Sequence, residues 1–324
     1  MSRRESRHPT TTKIQVSGKT LQVPSAEISG WTVVVTGRWL RVATLKDEEL
    51  VEGDPVQDAT CLVEELKNSQ IQVDILSLAQ PITAITPKLP DHFDWDNRAA
   101  VPITSFEQWW SKLPQESRKN VRRAAKRGVV VKVANFDDKF VGGICGIYNE
   151  TPTRQGRRFW HYGKDAATVK SEIGTYLDRS DFIAAYVNME MIGFIKITYV
   201  DTVAVITQIL AKNAHHDARP MNAMLASAIE LCQERGMSFL IYGKYIYGRH
   251  KKSLLTEFKR RNCFEEIRVP RYFIPLTSRG RLAIALRLYA GLRDQLPAPV
   301  IDLLLRLRSA AYRLYITCLR AGVA

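Results

Sequence analysis

Residues 181–211 constrain the fold more than any other stretch of the chain. DFIAAYV (181–187) is an apolar run, NME a tight turn, and MIGFIKITYV (191–200) a second apolar run. Asp201-Thr202 makes a second turn before VAVITQILA (203–211). Runs of this length, rich in β-branched residues and joined by two or three turn residues, predict an antiparallel meander. The loop KNAHHDARP then opens a helix, MNAMLASAIELCQERG, which Gly236 stops. MSFLIYG (237–243) predicts a further strand, with a helix over 252–262 and a last strand over 265–274. The order β-β-β-α-β-α-β predicts an α/β (α+β) chain: a mixed, mostly antiparallel sheet flanked by helices.

Upstream, Ser105-Phe-Glu-Gln108 fits a capping box, and a helix is expected from there to Arg127, broken near Pro114 and stopped by Gly128. Val129–Val133 predicts a buried strand and Phe136–Tyr148 a helix. An arginine-rich loop, NETPTRQGRRFWHYGKD, precedes a helix over 166–178. Residues 31–45 predict two strands around Thr36-Gly37, followed by a helix near 58–68, a strand near 71–77 and a connector over 86–98. The expected division is a loose polar tail (1–28), an N-terminal α/β subdomain (29–100), the main domain (101–277) and basic amphipathic C-terminal helices (278–324). In the last of these, Asp302, Arg306, Ser309, Arg313, Thr317 and Arg320 form one polar stripe, which fits anionic lipid, the chain's own domain or a second subunit.

A net charge of +14 favours anionic partners: nucleic acid, phosphorylated cofactors, anionic lipid or acidic glycans. The cysteines number five, with no CxxC pair, which argues against a disulfide framework and a zinc site and for a reducing cytoplasm. The basic N-terminus has no apolar core behind it, so no secretory signal is expected. No apolar run reaches membrane-spanning length, so contact with a membrane would be peripheral, at its inner face.

Six of the ten residues from Arg118 to Arg127 are basic, and none is acidic. On a helix, Arg118, Arg122 and Lys126 form one row and Lys119, Arg123 and Arg127 the next. The rows fit an anionic acceptor or lipid, a solvated face or, less well for want of stacking aromatics, nucleic acid.

The element order resembles the GNAT acyltransferase fold, and more closely its Fem-type branch, the peptidoglycan-bridge aminoacyltransferases and their acetyltransferase-like relatives. That branch carries a basic helix R-x-x-I-R-x-A-x-x-G-V-x-V; here Arg118, Val121, Arg122, Ala124, Gly128, Val129 and Val131 follow it with one extra residue between Ala124 and Gly128. It often carries Tyr-Gly at the fifth strand and Phe-Lys in the next helix; here these are Tyr242-Gly243 and Phe258-Lys259. The resemblance covers 100–277 and implies a reduced first copy of the fold over 30–100. It also implies an acyl group moved to an amine or hydroxyl of an anionic envelope or saccharide precursor, with acetyl- or another acyl-coenzyme A as donor. Two departures stand out: KNAHHDARPMN replaces the glycine-rich phosphate loop, and the long helical arm is absent. An aminoacyl-transfer-RNA-dependent ligase and a non-catalytic binding protein therefore stay open.

Anions bind helix N-termini, so Leu210, Ala211, Lys212, Arg219, Pro220, Met221 and Asn222 are the expected donor contacts. The implied acceptor contacts are Arg154, Arg158, Tyr162 and Gln208. His161 is a candidate general base, and Tyr242 and Tyr245 are candidates to protonate a leaving thiolate or bind acceptor. Adjacent His215 and His216 suit solvent better than a metal.

Overall fold

The computed structural model describes residues 10–16, 19–248 and 253–290. In chain order the strands and helices are β1 (Thr10–Val16), β2 (Lys19–Ile28), β3 (Trp31–Thr36), β4 (Val42–Leu45), α1 (Ala59–Lys67), β5 (Ile75–Ala79), β6 (Phe93–Pro102), α2 (Phe106–Lys112), α3 (Gln115–Lys126), β7 (Val130–Ala134) and α4 (Asp138–Tyr148). There follow β8 (Thr153–Arg154), β9 (Arg157–Arg158), α5 (Ala166–Ile173), β10 (Ser180–Val187), β11 (Glu190–Val200), β12 (Val203–Ala211), α6 (Pro220–Glu234), β13 (Phe239–Ile241), α7 (Leu254–Arg261), β14 (Glu265–Pro275) and α8 (Ser278–Ala285). The described residues fall into two compact units, 10–98 with 266–290, and 99–265.

The first unit carries strands in the order β1-β2-β3-β4-β5-β14. β4 and β5 run parallel through α1, and the other neighbours are antiparallel. Residues 10–16 and 19–28, expected to be loose, form the antiparallel pair β1–β2, with Ile14 opposite Leu21 and Thr12 opposite Val23. Threonine and valine at alternate positions favour a strand even where the composition is polar. Residues 93–98, expected as connector, open β6. Their charges had hidden the strand: Asp96 and Arg98 are buried, and Arg271 from β14 reaches Asp96 Oδ2 (3.2 Å) and Glu48 Oε2 (2.6 Å). Buried charges are tolerated only when paired in this way. β14, expected to close the main domain, belongs to this unit, beside β5. The polar stripe of 302–320 lies outside the described residues.

The second unit carries the order β6-β13-β12-β11-β10-β7. The meander is present, with β10, β11 and β12 antiparallel and β13 parallel to β12 through α6. Both faces of the sheet are covered. Ile183 and Ala185 join the core under α6, whereas Phe182 and Ala184 join the core under α4. Double coverage explains the unbroken apolar runs. Met224, Leu225, Ile229 and Cys232 of α6 have no exposed surface, each large side chain contributing about 1.5–3 kcal/mol of burial.

The helix expected over 105–127 is two helices, parted at Leu113-Pro114. Only half of the capping box forms: Ser105 Oγ accepts from Gln108 N (3.2 Å), while the Gln108 carbonyl is taken by Thr104 Oγ1 (2.6 Å). The strand after α3 is not buried. β7 is the sheet's edge, paired with β10, and Val130 and Val133 are more than half exposed.

Candidate active site

The site begins with a mismatch between β12 and its neighbours. β12 pairs with β11 along its length, but with β13 only from Val203 to Val205. After Ile241 the chain stays with β6 instead: Tyr242 N donates to Ala99 O, and Ala99 N to Gly243 O, both at 2.8 Å. The two strands therefore part, and residues 206–211 have no ladder partner on that side among the described residues. A β-bulge falls where they part. Lys196 pairs with Gln208 and Ile197 with Ile206, so Thr207 is the extra residue, and it is exposed in mid-strand. Bulges re-aim side chains and backbone donors and recur beside active sites.

On the α4 face, Gln208 projects from β12 into a polar pocket. Its Nε2 donates to Tyr148 Oη (3.1 Å) and lies 3.4 Å from His161 Nε2. The His161 ring stacks on Tyr148 with centroids 4.3 Å apart, and its Nδ1 is 3.3 Å from Lys164 Nζ, which pairs with Glu172 (2.5 Å). Burial, then the Lys164 cation, lowers the His161 pKa from 6.5 to about 4, against the opposing pull of Glu172. Burial also raises the Tyr148 phenol well above its ordinary 10. His161 is thus a neutral imidazole at pH 7, with both nitrogens facing internal neighbours. It is a weak base that shapes the pocket.

A pH dependence of stability follows. The unfolded chain binds a proton on His161 near 6.5 and the folded chain only near 4, so stability is full above the first value and falls as pH drops through that window. Allowing for solvent screening, the expected loss is about 2 kcal/mol. Thermal melts of wild type and His161→Phe from pH 4 to 7 check this: only the wild type shows the His161 component.

The arginine-rich loop does not present Arg154 to an acceptor. Its guanidinium donates to Ala211 O (2.7 Å), Ile147 O (3.2 Å) and Glu150 Oε2 (3.1 Å), and lies 4.7 Å over the Phe159 ring. Arg154 ties the loop to the end of β12. Arg158 and Tyr162 are exposed at the loop's outer side.

The expected donor loop is a 3₁₀ turn over Asn213–Ala218. Its leading amides are occupied: Glu150 accepts from Asn213 N (2.7 Å) and Ala214 N (2.8 Å). Lys212 pairs with Glu190, which also lies 3.7 Å from His215. Arg219 sits in the left-handed region (φ 57°), its buried Nε without a partner among the described residues. Pro220 opens α6, Met221 packs on the core, and Asn222 Nδ2 donates to Asn262 Oδ1 (3.1 Å). Leu210 packs on the α4 side of β12.

Tyr242 and Tyr245 lie across the parting from β12, against the α6 core, so the structure does not bring them to His161. Burial raises the Tyr242 phenol above its ordinary range. Below them lies a residue that the sequence reading did not assign to the site. Lys259 of α7 is fully buried, and its Nζ donates to Tyr242 O and Lys244 O, each at 2.6 Å. The ammonium also lies 4.4 Å from the Tyr242 ring centroid and 5.0 Å from that of Tyr247. The Phe258-Lys259 pair was its one signal. Glu150 gave none, because the two backbone amides it caps lie some sixty residues away.

No protein-family model matches the sequence, and no curated protein matches it. Among solved structures the chain is similar to FemX, with 9% identity and a TM-score of 0.58 over 85% of this chain and 90% of that one. It is similar to the C-terminal domain of a protein assigned as a lysylphosphatidylglycerol synthetase from Agrobacterium fabrum (14%, TM-score 0.54, 81% and 87% covered). It is also similar to L-PGS from Bacillus licheniformis (12%, TM-score 0.51, 82% and 88% covered). At such identities the likeness is one of fold alone, a mixed and mostly antiparallel sheet flanked by helices.

Proposed function

We propose that the chain is an acyl- or aminoacyltransferase whose donor acyl group lies in the parting between β12 and residues 242–247. The parting itself carries the reading, because it exposes strand backbone at the Thr207 bulge, opposite a segment fixed from below by Lys259. Exposed amides of a rigid strand are the kind of donors that stabilise the oxyanion of a tetrahedral intermediate. An amine or hydroxyl of the acceptor attacks the donor carbonyl. The intermediate collapses with loss of the donor's alkoxide or thiolate, which takes up the proton that the nucleophile releases. No covalent enzyme intermediate is needed, since positioning supplies much of the rate.

Between donors, the occupied amides of Asn213 and Ala214 favour an ester-linked aminoacyl carrier such as aminoacyl-transfer-RNA over coenzyme A, whose pyrophosphate needs open amides. The name lysylphosphatidylglycerol synthetase speaks of an amino acid joined to an anionic lipid, and an acceptor of that class, or an anionic glycan precursor, suits the charge of +14. Acyl-coenzyme A is the second reading. The N-terminus of the 15-residue α6, with Arg219 beside it, favours that donor.

The test supplies labelled aminoacyl-transfer-RNA or acetyl-coenzyme A with phosphatidylglycerol vesicles or a nucleotide-linked glycan precursor. Label is expected in an acceptor from the transfer-RNA. Label from acetyl-coenzyme A, lost in Arg219→Ala, would favour the second reading. No transfer from either donor would favour a non-catalytic binding protein.

A further inference from the structure

The β10–β11 turn presents a feature that the transfer chemistry does not use. Asn188 and Met189 both have positive φ (48° and 69°), as a two-residue hairpin turn requires. Asparagine tolerates that region, but methionine does not favour it. Met189 is also 85% exposed, the most exposed large apolar side chain among the described residues. Glycine or asparagine would relieve the strain and hide nothing. The residue present puts a flexible apolar side chain into solvent at a cost.

The surroundings of Met189 are apolar and basic apart from Glu190 in the same turn, whose carboxylate is paired with Lys212. Register places Val130 of β7 opposite Tyr186, one residue before the end of β10, so Val130 and the Met189 turn share one end of the strand pair. Val130 is 57% exposed. The same end receives α3, whose last turn and C-cap are Arg123, Lys126 and Arg127, all exposed. For these three side chains no partner is found among the described residues. Lys132 lies 5.1 Å over the Tyr186 ring on the same edge.

A valine-rich edge strand with no outer neighbour among the described residues invites pairing with a second copy. Here the basic rows of α3 would approach their own kind across such a pair. An anionic surface meets no such repulsion. Nucleic acid would meet the charges but gains little from aliphatic side chains without stacking rings. Cations flanking a few exposed apolar side chains match the two layers of an anionic bilayer, headgroup charge outside and acyl chains beneath.

We propose that this corner, formed by the Met189 turn, the Val130 edge and the basic end of α3, docks the protein onto anionic phospholipid bilayers. The proposal stands whether or not the transfer reading does.

The experiment is co-sedimentation of the full chain with vesicles of phosphatidylcholine alone or with 30% phosphatidylglycerol, at low and high salt. Binding is expected only with the anionic lipid and is expected to weaken as salt rises. Arg123→Gln, Lys126→Gln and Arg127→Gln together are expected to lower it on the order of 100-fold, at about fivefold per charge. Met189→Asn, which fits the turn, is expected to weaken binding severalfold without lowering Tm. Equal binding to both vesicles, or binding unchanged by the triple substitution, would overturn the proposal and shift lipid contact elsewhere on the chain. So would a triple variant that loses transfer-RNA but keeps vesicles, or a dimer in solution dispersed by Val130→Lys. Unchanged transfer to a water-soluble short-chain acceptor in the triple variant separates docking from chemistry.

Discussion

Lys259→Met is expected to lower kcat for transfer on the order of 100-fold while KM for the donor changes little. The side chain acts through the backbone. It holds the carbonyls of residues 242 and 244 at 2.6 Å, which fixes the wall of the parting. A displacement of about 1 Å at such a wall costs about that much in rate. Methionine fills the volume but donates nothing, so two half-buried carbonyls lose a partner, and stability is expected to fall by about 2–4 kcal/mol. Lys259→Arg keeps the charge and donors and should recover part of kcat. A role in packing alone predicts a different result: the Tm falls, but kcat measured well below the Tm stays at the wild-type value.

Glu150→Ala carries the second large expected effect. One carboxylate caps two amides of the 213–218 turn and pairs with Arg154. Hydrogen bonds to a charged group contribute about 1.5–3 kcal/mol each, so denaturant unfolding should show a loss of about 3 kcal/mol. Glu150→Gln retains one acceptor oxygen and should lose about half as much. The alanine variant also opens the two amides. Inorganic phosphate is therefore expected to raise its Tm, in proportion to occupancy, and to leave the wild type unchanged. A wild type that responds equally to phosphate would mean that the anion binds elsewhere, and would weaken the case against coenzyme A.

The meander was legible because burial on both faces writes itself as unbroken apolar runs with short turns between them. The helix stops at Pro114, Gly128 and Gly236 were legible for the same local reason: each is a backbone restriction carried by one residue. What the sequence hid was non-local. β6 reads as a connector because Asp96 and Arg98 look like solvent residues until Arg271, Glu48 and Glu49 are placed around them. β1 and β2 read as a tail because their threonines and lysines suggest water rather than pairing. MSFLIYG reads as one strand, yet only Phe239–Ile241 pairs as such, and the shortfall opens the parting. Arg154 reads as an anion contact because its loop is rich in arginine; its three internal acceptors are Ile147 O, Glu150 Oε2 and Ala211 O. Lys259 shows the same limit from the other side. A lysine in FKRRN has the look of a helix surface, and only the fold shows it enclosed by the segment it fixes.

The proposed place of the acyl group is between β12 and residues 242–247. A crystal structure with a stable amide analogue of aminoacyl-adenosine tests it most directly. The analogue's acyl carbonyl is expected within hydrogen-bond distance of the β12 backbone between Thr207 and Ala211, with Lys259 still holding residues 242 and 244. An analogue bound away from β12, with the parting closed by side chains, would contradict it.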